Sequence, residues 1–334
     1  MIIRFLTISL VIALSANISF SKNDSLFCPI VEGTIRPKYE YRTNTDEHRF
    51  QIRNARFSVN GNFSKITSYK AEIDLSDEGV TKMLDAYLKF QPKSWYRFTI
   101  GQQKIPFSTD NIRSPHELYF ANRSFIGKQL SSKLRDVGAT AEFINKEVLP
   151  LRFFIGVYNG TGLYNQKSWR KSDELSFASR ITIKPASFLN FSFSVNSKKP
   201  SDIRMTLYNG GFFIDVSDLH FEMEYYYKTY QNNLYDPTKG FFAFLAYNIN
   251  LQNKNHIQKI TPLIRYDMMT NNFSFDVDGN IKTDIEQSRI TGGFTFSLAK
   301  PFLNDIRLNY EHFFFKNGII NTENKLVLEF VVRF

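Results

Sequence analysis

Apolar and polar residues alternate with period two along almost the whole chain, and no other feature constrains the fold as tightly. Ile35, Pro37, Tyr39 and Tyr41 alternate with Arg36, Lys38, Glu40 and Arg42. Leu189, Phe191, Phe193 and Val195 alternate with Asn190, Ser192 and Ser194. The C-terminal run sets Leu326, Leu328, Phe330, Val332 and Phe334 against Lys325, Glu329 and Arg333. This period puts the two sets on opposite faces of a β-strand. The pattern marks about sixteen strands of roughly ten residues, the length a tilted strand needs to cross a bilayer. Segment 48–61 changes phase, with Phe50 and Ile52 even but Ala55, Phe57 and Val59 odd, which predicts a bulge near Asn54.

The chain is 43% hydrophobic and 22% charged, too apolar for disorder. Beyond the N-terminus no run approaches the ~20 apolar residues of a membrane helix, which excludes a polytopic helical protein. The chain has 34 Phe and 17 Tyr, many of them on the apolar faces near strand ends like an aromatic girdle. A soluble sandwich would use branched aliphatics instead, and a sheet this large would leave open edges that closure removes. The expected fold class is therefore all-β, a transmembrane antiparallel β-barrel. Cys28 is the one cysteine, read as a free thiol; a disulfide framework or multi-cysteine metal site is excluded, and no metal or cofactor is expected.

Residues 1–21 read as a signal peptide: Arg4 as the n-region charge, Phe5–Ala16 as the h-region, and Ser19 and Ser21 as the small residues before the cut. The expected mature domain is 22–334, in an outer membrane and surrounded by its lipid. With a periplasmic N-terminus, connections after even strands should be short. They read Asn60–Ser64, Gln91–Trp95, Asn145–Leu149, Pro185–Ser187, Ser217–Asp218, Gln252–His256 and Ala299–Asn304. Pro106–Lys133, the third outward connection, is much longer. It sets Leu118, Tyr119, Phe120, Phe125 and Ile126 among Arg113, Arg123, Lys128 and Lys133. A solvated loop rarely carries five large apolar groups, so this one is predicted to fold into the barrel.

From Lys104 to Arg135 the bases are Lys104, Arg113, Arg123, Lys128, Lys133 and Arg135 and the acids Asp110 and Glu117, so 6 − 2 = +4 within a chain of net charge +10. On the polar strand phase, Arg36, Lys38, Arg56, Arg97, Arg180 and Arg265 should line the lumen, among acids that include Glu40, Glu72, Asp74, Asp85, Glu222 and Glu224. Guanidinium groups replace the water hydrogen bonds of an oxyanion, and a ladder of such groups favours anions over cations. These two sets are the expected constriction and wall of an anion pathway. The five histidines show no nucleophile–base arrangement, and no G-x-S-x-G, H-E-x-x-H or phosphate-cradling glycine loop occurs, so no enzyme is expected. The bases follow strand faces of an exported chain, which argues against nucleic acid.

Four stretches resemble the phosphate-selective porin O and P family of Gram-negative outer membranes: RFQIRNARFSVNG at 49–61, GQQKIPF at 101–107, FFIGVYNG at 153–160 and ITPLIRYDMMT at 260–270. The resemblance implies a sixteen-stranded barrel, generally a homotrimer, with a basic channel for small anions such as phosphate. A weakly selective general porin and an outer-membrane binding or adhesin barrel are the alternatives. Phe334, a terminal aromatic in the apolar phase, resembles the signal read by the barrel-assembly machinery.

Overall fold

The computed structural model describes residues 27–130, 135–147, 149–164, 166–251, 256–275, 280–299, 303–316 and 323–334. The expected signal peptide lies outside them. Sixteen strands build one barrel: β1 Ile30–Arg42, β2 Glu47–Asn62, β3 Thr67–Asp77, β4 Val80–Lys93, β5 Tyr96–Lys104, β6 Arg135–Asn145, β7 Leu151–Tyr158, β8 Ser176–Ala186, β9 Leu189–Lys198, β10 Met205–Val216, β11 Leu219–Tyr230, β12 Thr238–Tyr247, β13 Ile257–Met269, β14 Gln287–Leu298, β15 Leu303–Phe315 and β16 Asn324–Arg333. After Asn248, β12 resumes for Ile249–Asn250, still paired to β13. Each strand pairs antiparallel with its neighbour in sequence, and β1 pairs with β16, so no edge is left. The connections after even strands are short, as the sequence predicts.

The two faces reverse the logic of a soluble core. Apolar residues point out, among them Phe50 at 85% exposure, Ile100, Phe193, Ile264 and Phe330. Charged residues point in and are covered, among them Arg36, Glu224, Arg307 and Glu329. Only closure lets a sheet present such a face to lipid, because every strand N–H and C=O finds a partner within the ring.

The phase change in β2 is a bulge. Arg36 faces Asn54 but Pro37 faces Ile52, which leaves Arg53 as the extra residue. A second slip sets Glu72 against Asp85 and Ile73 against Met83, with Leu84 between. At the closing seam the Gly33 and Phe334 backbones exchange hydrogen bonds of 2.8 and 3.1 Å. The Phe334 ring lies where a Cβ on Gly33 would stand, at 2.2 Å, so glycine makes room for the terminal aromatic.

One expectation fails on the inside. The inner face of β10–β13 is not polar throughout: Met205, Leu207, Phe242, Phe244, Leu263 and Met269 form an apolar patch. The physical reason is that this wall is packed against protein. Phe107, Phe120, Phe125, Ile126 and Leu130 of the long connection join it in one buried cluster. That connection carries two short helices, α1 Thr109–Ile112 and α2 Phe125–Leu130.

Candidate functional site

The long connection after β5 meets the inner wall at points all around the barrel. Its backbone supplies most of the acceptors. Arg36 of β1 donates to Ala121 O at 2.9 Å. Arg265 of β13 donates to Asn122 O at 3.0 Å and lies over the Phe120 ring at 4.4 Å. Arg289 of β14 donates to Arg123 O at 3.0 Å. Arg307 of β15 donates to Pro115 O at 3.3 Å and His116 O at 3.1 Å. The connection's own N–H groups are met as well. Glu224 of β11 accepts from Thr109 N and Asp110 N, both at 2.8 Å, and Asn309 accepts from Ala121 N at 2.8 Å. Irregular backbone away from water needs such partners, because an unmet buried polar group costs about 1–3 kcal/mol.

The same arginines are neutralised by acids on neighbouring strands. Arg36 and Arg307 share Glu329, at 2.6 and 3.1 Å. Arg265 and Arg289 share Asp267, at 2.9 and 3.0 Å. Lys38 pairs with Glu40 at 2.8 Å and donates to Asn122 at 3.0 Å. Arg36, Lys38 and Arg265 are thus buried under the connection, with the Arg36 terminal nitrogens engaged and its Nε left without a partner among the described residues. Arg97 is bonded to Gln91 at 2.8 Å and to Glu142 at 3.4 Å. Arg180 donates to Thr109 Oγ1 at 2.9 Å and makes no ion pair among the described residues.

Of the bases in the connection, Arg113 forms a forked pair with Glu222, at 2.5 and 3.2 Å. Arg123 donates to the Asp110 and Arg113 carbonyls. Lys128 is exposed on α2. Lys133 lies outside the described residues.

The remaining bases gather on one side. Arg56 pairs with Asp74 at 2.9 Å, Lys70 with Glu72 at 2.7 Å, and Arg135 with Asp85 at 2.6 Å. Lys104 lies among them and donates to Ile112 O at 2.7 Å. No carboxylate of the described residues is within 4.0 Å of its ammonium. In this group the bases Arg56, Lys70, Lys104 and Arg135 stand against Glu72, Asp74 and Asp85, so 4 − 3 = +1. Between these strands and residues Ser114–Glu117 lies a polar cavity of about 180 Å³, lined by Arg56, Lys70, Glu72, Lys104, His116 and Glu117 among others. Burial, helped by the Arg333 charge, holds His116 below its ordinary value, so its imidazole is neutral at pH 7. Burial pulls Glu117 up, but the Ser114 N–H and nearby positive charge outweigh it and keep its carboxyl below the usual range.

Lys104, Arg56 and Arg135 are among the site residues expected from the sequence; Lys70, Arg289, Arg307, His116 and Glu117 are added by the structure. The signal for Arg289 and Arg307 was present, since both sit in the polar phase opposite Ile290 and Leu308.

The barrel resembles solved porins. The anion-selective porin from Comamonas acidovorans aligns with a TM-score of 0.65 at 9% identity, over 92% of this chain and 99% of that one. The trimer form of OmpT, an outer membrane protein of Vibrio cholerae, aligns at 0.64 and 11% identity, over 92% and 99%. The outer membrane channel DcaP of Acinetobacter baumannii aligns at 0.61 and 14%, over 94% and 99%. These likenesses are of fold. No curated protein matches the chain. The family model described as phosphate-selective porin O and P matches residues 35–183, which run from β1 through most of β8. That match, on a closed sixteen-stranded barrel, marks the chain as an outer-membrane porin that resembles the phosphate-selective porin O and P family over residues 35–183.

Proposed function

We propose that the chain is a passive diffusion channel preferring small anions, phosphate among them, with the 106–133 connection as its constriction and no catalytic role. The observation that carries this is the base-rich group beside the cavity, where Lys104 has a carbonyl but no carboxylate partner among the described residues. An uncompensated ammonium in a narrow, low-dielectric neck acts more strongly than one on a wet surface, where salt screens it within about 8–10 Å. Weak, repeated contacts with Arg56, Lys70 and Arg135 would pass an anion along without trapping it. In this reading the chain is exported by its signal peptide, assembled through Phe334, and works as a homotrimer in lipid.

A second reading, a nearly unselective general porin, draws support from the ion pairing of most wall arginines. The Lys104→Glu variant separates the two. The anion reading expects the chloride-to-potassium permeability ratio of wild type, taken from reversal potentials in planar bilayers, to exceed unity and to fall below it in the variant. A ratio near unity in both chains would favour the general porin.

A further inference from the structure

The cavity under residues Ser114–Glu117 holds a second uncompensated charge. Glu117 accepts from the Ser114 N–H at 2.7 Å and forms no ion pair among the described residues. Other charges around it are paired: Arg333 with Glu32 at 2.7 Å, Lys70 with Glu72 at 2.7 Å, and Arg56 with Asp74 at 2.9 Å. His116 is neutral at pH 7. One ammonium, held by the Ile112 carbonyl, and one carboxylate, held by Ser114, therefore face the same polar space of about 180 Å³. A simple anion finds only the first of them useful and is repelled by the second.

We propose that this cavity is a transit site for small zwitterions, with amino acids as the substrate class: Lys104 takes the carboxylate and Glu117 takes the ammonium. The inference rests on the reading of the chain as an open channel and deepens it. Both contacts are charge-assisted hydrogen bonds, roughly twice as strong as neutral ones. Both protein groups are pre-oriented, Lys104 by the Ile112 carbonyl and Glu117 by the Ser114 amide, so little ordering is needed on arrival.

The test uses the full-length protein in liposomes and compares swelling in isosmotic alanine, lactamide and sodium lactate. These probes are alike in size but zwitterionic, neutral and anionic. The alanine rate relative to lactamide should fall about tenfold or more in Lys104→Met and equally in Glu117→Gln, the loss expected for one charge-assisted hydrogen bond. Glutamine keeps an acceptor for the Ser114 N–H, so the local turn survives. The two variants should move lactate in opposite directions, Lys104→Met slowing it and Glu117→Gln speeding it. The charge-swapped double variant, Lys104→Glu with Glu117→Lys, should recover alanine flux. That swap removes the Ser114 cap, so if it fails to assemble the two neutralised variants decide. Alanine flux unmoved by Glu117→Gln overturns the zwitterion site. Wild-type current that prefers potassium overturns the anion reading and leaves the alanine result standing on its own.

Discussion

Arg113 ties the connection to the wall through one buried pair. Its guanidinium forks onto Glu222 and lies over the Tyr119 ring, with Cζ 5.3 Å from the ring centre. Glu222 also contacts His220 at 3.2 Å, and His220 stacks on Tyr119 at 4.5 Å. Removing one partner of a buried pair leaves the other charge unmet, a loss of about 3–5 kcal/mol. Arg113→Gln should therefore loosen the connection. The expected signs are larger open-channel current noise and faster thiol labelling of a Phe120→Cys reporter, with Cys28→Ser in the background. Lys128→Glu, on the exposed side of α2, should change neither. Unaltered labelling in Arg113→Gln would show that Glu222 does not hold the connection. Simple charge counting along the segment misses this difference, because it gives Arg113 and Lys128 equal weight while their partners lie in distant strands.

At the scale of elements, the connection and β10–β13 share one apolar cluster. Ile126 is fully covered and sits at 3.0 Å from where a Cβ on Gly240 of β12 would stand. Ile126→Ala should cost about 2–5 kcal/mol of local packing. It should lower the melting temperature of the connection's protease-protected state without lowering that of the barrel, read by limited proteolysis during heating. Parallel loss of both would mean that the two melt as one unit. The seam gives a second element-scale prediction. A Gly33→Val side chain must displace the Phe334 ring, so this variant and deletion of Phe334 should both reduce folded, heat-modifiable barrel in the outer membrane while synthesis is unchanged. Normal assembly of both would remove the seam from the assembly signal.

The strands, their number and the β2 bulge were legible because one physical rule, apolar out and polar in, governs each strand by itself. Phe242 and Phe244 of β12 broke the rule, since the inner face there meets protein rather than water. The site was legible only in part. Residue type and phase put Arg36 and Arg265 on the inner face, and both are buried there. Whether such a base meets an ion or a carbonyl depends on Ala121 and Asn122, residues 85 and 143 positions away in the chain, and no local pattern carries that.

For the whole molecule, a net charge of +10, or +9 without Arg4 of the expected signal peptide, would in the proposed reading steer anions toward the channel mouths without setting selectivity. Selectivity belongs to the narrowest stretch, and there most charges cancel in pairs. The account predicts a mild preference, governed by Lys104 and its neighbours, rather than the strong one that the raw excess of bases suggests. The most direct measurement is the zero-current potential of the purified wild-type protein in a planar bilayer under a potassium chloride gradient. The sign of chloride selectivity, shrinking as ionic strength rises, is the predicted result. A potential of the opposite sign would contradict it and would pass control of the current to Glu72, Asp74 and Asp85.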